Sequence, residues 1–146
     1  MENVVFRDGK RVSARGIIIY DDKVYLMFRR RKNSDGSYRE YYVVPGGGID
    51  DGENEIDAVK RELGEEFCVE VNVLGKVGCD ESDNSIANFY ALEITKGIPK
   101  LGGEEKEKCS DDNYYEIKLI DINRLDSIDV TGIEYIMRAY KKEYIV

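Results

Sequence analysis

The sequence predicts one α+β domain in which a mixed β-sheet is sandwiched between α-helices, an α/β/α arrangement. Length and composition are the first ground. The chain has 146 residues, 42% hydrophobic and 36% charged, which suits a single compact unit spanning 1–146 with a sizeable core. The second ground is period. Strand-like runs stand before, between and after two segments whose apolar residues recur at steps of three and four, the pattern of a sheet with helices on its faces. The third is the lack of any internal repeat, low-complexity tract or linker.

The elements follow in order. Residues 15–20 hold a β-branched run, Asp21-Asp22 reads as a turn, and 23–29 resumes with Val24, Leu26 and Phe28, so the pair predicts a hairpin. Residues 30–39 are polar, with a turn signal at Asn33-Ser34-Asp35-Gly36. A short strand over 40–44 is expected to end at Pro45 and the three glycines that follow. From Glu53 to about Phe67 the period is helical, with Ile56, Val59, Leu63 and Phe67 as the buried stripe and Asp50 or Asp51 at the helix start. Two strands are expected over 69–77 and 86–95, then a polar loop over 97–112 and a strand over 115–120. A last helix, capped by Thr131 and running to about Lys142, would bury Ile133, Ile136, Met137 and Tyr140.

Charge and composition exclude several functions. Thirty acids against 22 bases give a net charge of −8, the wrong sign for a protein that grips a nucleic-acid duplex. The chain contains no histidine, which removes imidazole-based triads and the usual zinc hydrolase sites. Cys68, Cys79 and Cys109 are odd in number and widely spaced, as in reduced thiols of a cytoplasmic protein. Met1–Lys10 lacks the apolar run of a signal peptide, and no stretch is long and apolar enough to suggest a membrane span.

The informative stretch is Gly47-x5-Glu53-x7-Arg61-Glu62-Leu63-Gly64-Glu65-Glu66. Glu62, Glu65 and Glu66 lie at i, i+3 and i+4, so three carboxylates share one helix face, away from the apolar stripe. If that face is partly enclosed, two carboxylates ~5 Å apart repel by about 3 kcal/mol at an effective dielectric near 20. A divalent cation offsets that repulsion far better than Arg61 alone, and clustered carboxylates are the oxygen ligands Mg²⁺ prefers. An isolated E-x-x-E-E is also an ordinary solvated face. The preceding Pro45-Gly46-Gly47-Gly48 adds weight, because backbone free of side chains can approach a ligand closely. Glu53, two and a half turns before Glu62, points elsewhere and reads as a helix-start or orienting residue.

This stretch resembles the box of the Nudix hydrolase family, G-x5-E-x7-R-E-U-x-E-E-x-G-U with U aliphatic. Gly47, Glu53, Arg61, Glu62, Leu63, Glu65, Glu66 and Val69 fit, while Cys68 stands where the family has its second glycine. That position follows the helix, where a left-handed backbone costs a non-glycine residue roughly 1–2 kcal/mol. The resemblance implies the Nudix fold and a Mg²⁺-dependent hydrolase, with Mn²⁺ as a substitute. It also implies metal ligands at Glu62, Glu65, Glu66 and the Gly47 carbonyl, with Arg61 and Glu53 completing the catalytic set. The metal would neutralise charge developing on the leaving group and help ionise a water. Glu62 or Glu66 would act as the general base, or else Glu105 or Glu107 from the later loop. Arg29 and Arg31, in the one dense basic run, are candidates to hold a substrate phosphate.

Three functions stay open at this point. One is a MutT-like nucleoside di- or triphosphate pyrophosphohydrolase, acting on a small nucleotide-type molecule and forming a homodimer as family members often do. Another is a Nudix hydrolase of ADP-ribose or a nucleotide sugar, of which the lack of proline or tyrosine around 83–87 mildly disfavours ADP-ribose. The last is a catalytically silent nucleotide-binding domain, against which the intact glutamates weigh.

Overall fold

A computed structural model describes residues 5–145, so the first part of the Met1–Lys10 stretch lies outside the described residues. The strands are β1 (Phe6–Arg7), β2 (Lys10–Tyr20), β3 (Lys23–Lys32), β4 (Tyr38–Val43), β5 (Gly46–Gly48), β6 (Glu70–Glu81), β7 (Ser85–Lys96) and β8 (Asn113–Asp121). The helices are α1 (Glu55–Phe67), α2 (Gly103–Lys108) and α3 (Ile133–Tyr140), with a 3₁₀ segment over Ile122–Ser127.

The sheet is mixed and forked. Antiparallel β2 and β3 pair only beside their turn, at Ile19↔Val24 and Tyr20↔Lys23, and then separate. The chain that runs from β4 into β5 fills the gap, β4 pairing with β3 and β5 with β2. Beyond the fork, β7 runs parallel to β2 and carries β6, while β8 lies along the other edge of β3. Pro45 is buried at the crossing, and its carbonyl accepts from Gly16 N at 2.8 Å.

Two cores lie on the two faces. Val12, Ala14 and Leu92 of the sheet pack against Val59, Leu63 and Phe67 of α1. Ile17, Leu26, Phe89 and Ala91 pack with Ile136 and Ala139 of α3 on the opposite side. Helices on both faces are the architecture the period pattern predicts.

Several details depart from the sequence reading. The glycines do not simply end β4: Gly46–Gly48 form β5, since backbone hydrogen bonding to β2 needs no side chain. The α1 cap is Asn54, whose side chain accepts from Asp57 N, in place of Asp50 or Asp51. Ile56 is 43% exposed and Ala58 takes its place in the core, so the buried stripe is Ala58, Val59, Leu63 and Phe67. The loop expected over 97–112 contains α2. The last helix starts after Gly132 at φ 88°, ends at Tyr140, and buries Tyr135, which stacks on Phe89 at 4.6 Å.

Candidate active site

The site is a cavity of about 630 Å³ between the carboxylate face of α1, the glycine strand β5 and the start of α2. Glu62, Glu65 and Glu66 line it along the helix, and Glu105 faces them from α2. The Glu62 side chain is 15% exposed and that of Glu65 is 55% exposed, so the row runs from the cleft floor to its mouth.

The glycines are placed by contact. A Cβ at Gly47 would fall 2.7 Å from the Glu62 carboxyl, so only a bare backbone lets that side chain lie against β5. Gly46 N donates to Glu66 Oε2 at 2.9 Å, and Gly46 has φ 145°, a conformation L side chains rarely adopt. The first two glycines thus touch two of the three glutamates.

Arg61 organises the rest. Its Nε and Nη2 donate to the Glu53 carboxylate at 2.9 and 3.0 Å, its Nη1 to Glu62 at 3.0 Å, and Nη2 also to the Gly48 carbonyl at 3.1 Å. Glu65 is a looser partner at 3.4 Å. Glu53 precedes α1 and accepts from Asp50 N as well, so it ties the loop to the arginine. These hydrogen bonds hold Glu53 below the usual carboxylate range, the Arg61 contact being the largest cause.

The remaining acids are pushed the other way. Burial, with Glu105 and Glu62 nearby, raises Glu66 to about 8. Burial is also the leading cause of the upward shifts of Glu62 and Glu105. A partly enclosed row of carboxylates whose repulsion Arg61 and Arg15 offset only in part, offering oxygen donors, fits a hard divalent cation. Among the described residues, no three acids or thiols converge closely enough to chelate an ion as they stand. They flank the cavity, and Glu65, the most exposed, would have to turn from Arg61 to join Glu62 and Glu66. The Gly47 backbone lies in contact range of the Glu62 carboxyl.

The basic residues fall differently from their sequence placement. Arg29 and Arg31 do not line this cavity. Arg29 lies over the Tyr115 ring at 3.8 Å and donates to Asn113 at 2.7 Å, and among the described residues its buried Nε finds no partner. Arg31 is exposed, and so is Glu107. Besides Arg61, the cations that line the cleft are Arg11 and Arg15 of β2. Arg15 is half-buried, donates to the Val44 carbonyl at 3.0 Å and has its proton affinity lowered by burial. Its signal in the sequence was a charge inside a β-branched strand, a placement that requires a partner or a function.

Cys68 follows α1 at φ 57° and ψ 37°, the left-handed conformation that favours glycine. It is placed against Gly102, where an added Cβ would meet the thiol, and Gly102 N donates to the Glu66 carbonyl at 3.0 Å. The residue that replaces the box glycine therefore joins the end of α1 to the segment leading into α2 and Glu105.

Comparison with known proteins agrees with this geometry. The family model of the NUDIX domain matches residues 10–130. An ADP-ribose pyrophosphatase of Methanocaldococcus jannaschii is 29% identical over 117 residues, covering 80% of this chain but only 65% of that protein's length. An RNA pyrophosphohydrolase of Bartonella quintana is 23% identical over 150 residues, covering 88% of this chain and 87% of its own. The crystal structure of a MutT NUDIX hydrolase from Burkholderia pseudomallei superimposes with a TM-score of 0.61 at 20% identity, over 78% of this chain and 84% of that one. With the family model matched over most of the chain, the α+β fold in place and Gly47, Arg61, Glu62, Glu65 and Glu66 lining one cleft, the chain belongs to the Nudix hydrolase family.

Proposed function

We propose that this chain is a Mg²⁺-dependent pyrophosphohydrolase that cleaves the diphosphate linkage of a small nucleotide-type substrate. The observation that carries the reading is the partly enclosed carboxylate row of Glu62, Glu65 and Glu66 set against the side-chain-free strand β5. Glu62, Glu65, Glu66 and the Gly47 carbonyl hold the ion. When bound, Mg²⁺, or Mn²⁺ in its place, supplies charge neutralisation for the diphosphate and lowers the pKa of a water.

The chain's own residues do the remaining work. Arg61 fixes Glu62 and is itself fixed by Glu53, so Glu62 is oriented before any ion arrives, while Glu65 has to turn from Arg61 to join it. Glu105 faces the same cavity from a separate element and has its proton affinity raised by burial, so it accepts the proton of the attacking water. Arg15 and Arg11 offer positive charge to the diphosphate from the opposite wall. The relatives are named as an ADP-ribose pyrophosphatase and an RNA pyrophosphohydrolase, and the pyrophosphate chemistry both names share supports the bond class more than any one compound.

A panel of ADP-ribose, nucleotide sugars, dinucleotides and (deoxy)nucleoside triphosphates, assayed for phosphorus-containing products with Mg²⁺ and with EDTA, tests this. Cleavage that requires Mg²⁺ and is lost in Glu65→Gln is the expected result. A folded protein that cleaves none of these compounds in Mg²⁺ overturns it, and favours the silent nucleotide-binding domain.

A further inference from the structure

A second cavity, of about 240 Å³, adjoins the carboxylate cleft, and Arg11 and Arg15 line both. Its floor follows from strand register. On parallel β2 and β7, Arg11 sits beside Ser85, Ser13 beside Ala87, and Arg15 beside Phe89. Side chains two apart on a strand share a face, so Arg11, Ser13 and Arg15 form one column and Ser85, Ala87 and Phe89 the next. Asp80 of β6 pairs with Ala87 and closes the row on its far side. With strands ~4.8 Å apart, roughly 10 Å separates the arginine column from Asp80.

The chemistry is graded across that distance. At the near end, Arg15 has one hydrogen bond among the described residues, to the Val44 carbonyl, which leaves guanidinium donors for an anion. The middle is apolar, formed by Ala87 and Phe89, and the back of the Phe89 ring is held by Tyr135. At the far end stands a carboxylate, an acceptor for hydroxyl groups. The volume equals that of about eight waters at ~30 Å³ each, room for one ring.

We propose that this smaller cavity seats a sugar ring carrying the phosphate next to the cleaved bond, with Arg11 and Arg15 on that phosphate and Asp80 on the ring hydroxyls. The proposal rests on the pyrophosphohydrolase reading and deepens it. Such a seat takes the sugar phosphate on one side of the diphosphate, whether the other side ends in a phosphate or in a second sugar.

The test uses ribose 5-phosphate and inorganic phosphate, which contain no diphosphate to hydrolyse, titrated into ¹⁵N-labelled protein without Mg²⁺ and followed by NMR. Ribose 5-phosphate is expected to bind at least about fivefold more tightly than phosphate, shifting amides around Arg15 and Ala87. Ala87→Leu, which fills the floor without removing a polar group, is expected to bring the two affinities together. Arg15→Gln is expected to weaken both ligands by about fivefold or more. Equal affinity of the two ligands in the parent protein, or an undiminished preference in Ala87→Leu, overturns the proposal. If the preference is found as stated but no diphosphate is hydrolysed with Mg²⁺, the function reading fails and the sugar-phosphate seat stands.

Discussion

Replacing Arg61 by glutamine should destabilise the protein by an amount set by the acids it leaves behind. Arg61 gives Glu53 two charge-assisted hydrogen bonds and Glu62 one, with side chains only 17% and 15% exposed at the two acids. Breaking a buried pair costs about 3–5 kcal/mol, and partial solvent access at Arg61 lowers that to roughly 2–3 kcal/mol. For a domain of this size the melting temperature should fall by roughly 4–12 °C. The loss must depend on pH with a definite sign. Glu53 has a depressed folded-state pKa, so its contribution is present above the unfolded value near 4.5 and disappears as pH falls through the folded value. Thermal melts of the parent and Arg61→Gln at pH 7 and pH 4, in EDTA, measure this directly. The gap should be widest at pH 7 and should shrink in a Glu53→Gln background, where the arginine has lost its strongest partner. An unchanged melting temperature at pH 7, or an equal gap in the Glu53→Gln background, would refute the reasoning.

Three further outcomes follow from the same geometry. Glu66 is raised to about 8, above its unfolded pKa, so metal-free protein should lose stability as pH rises from about 4.5 to 8; Glu66→Gln should melt higher than the parent at pH 8 by up to several degrees in EDTA, and the order should reverse in saturating Mg²⁺. Gly47→Ala drives a Cβ into the Glu62 carboxyl, and calorimetric Mg²⁺ titration should show affinity reduced by about tenfold or more. Cys68→Gly relieves a left-handed backbone at the loss of a small contact with Gly102, and denaturant unfolding should show a gain of about 0.5–1 kcal/mol.

What the sequence made legible was whatever repeats at short range. The α1 period placed Val59, Leu63 and Phe67 in the core, and the same spacing placed Glu62, Glu65 and Glu66 on the opposite, cleft-facing side. Ile56 misled because, in the first turn of α1, Ala58 and not Ile56 faces the core. The glycines were legible as close-approach backbone but not as a strand, since β5 exists only where β2 and β3 fork, a long-range event. The arginines show the same limit. Arg29 and Arg31 drew notice as a dense run, yet neither lines the cleft: the first stacks over Tyr115 and the second is exposed. Arg15 stood at the start of the expected strand and Arg11 before it, and both reach the cleft from β2, beside the side-chain-free β5.

Divalent-ion binding at the carboxylate row is the claim on which the rest depends. Mn²⁺ titration followed by electron paramagnetic resonance, on the parent and on a Glu62→Gln/Glu65→Gln/Glu66→Gln variant, tests it most directly. Saturable binding by the parent, lost in a triple variant that still melts cooperatively, is the predicted result. Equal binding by both proteins, or none by the parent, would contradict the account.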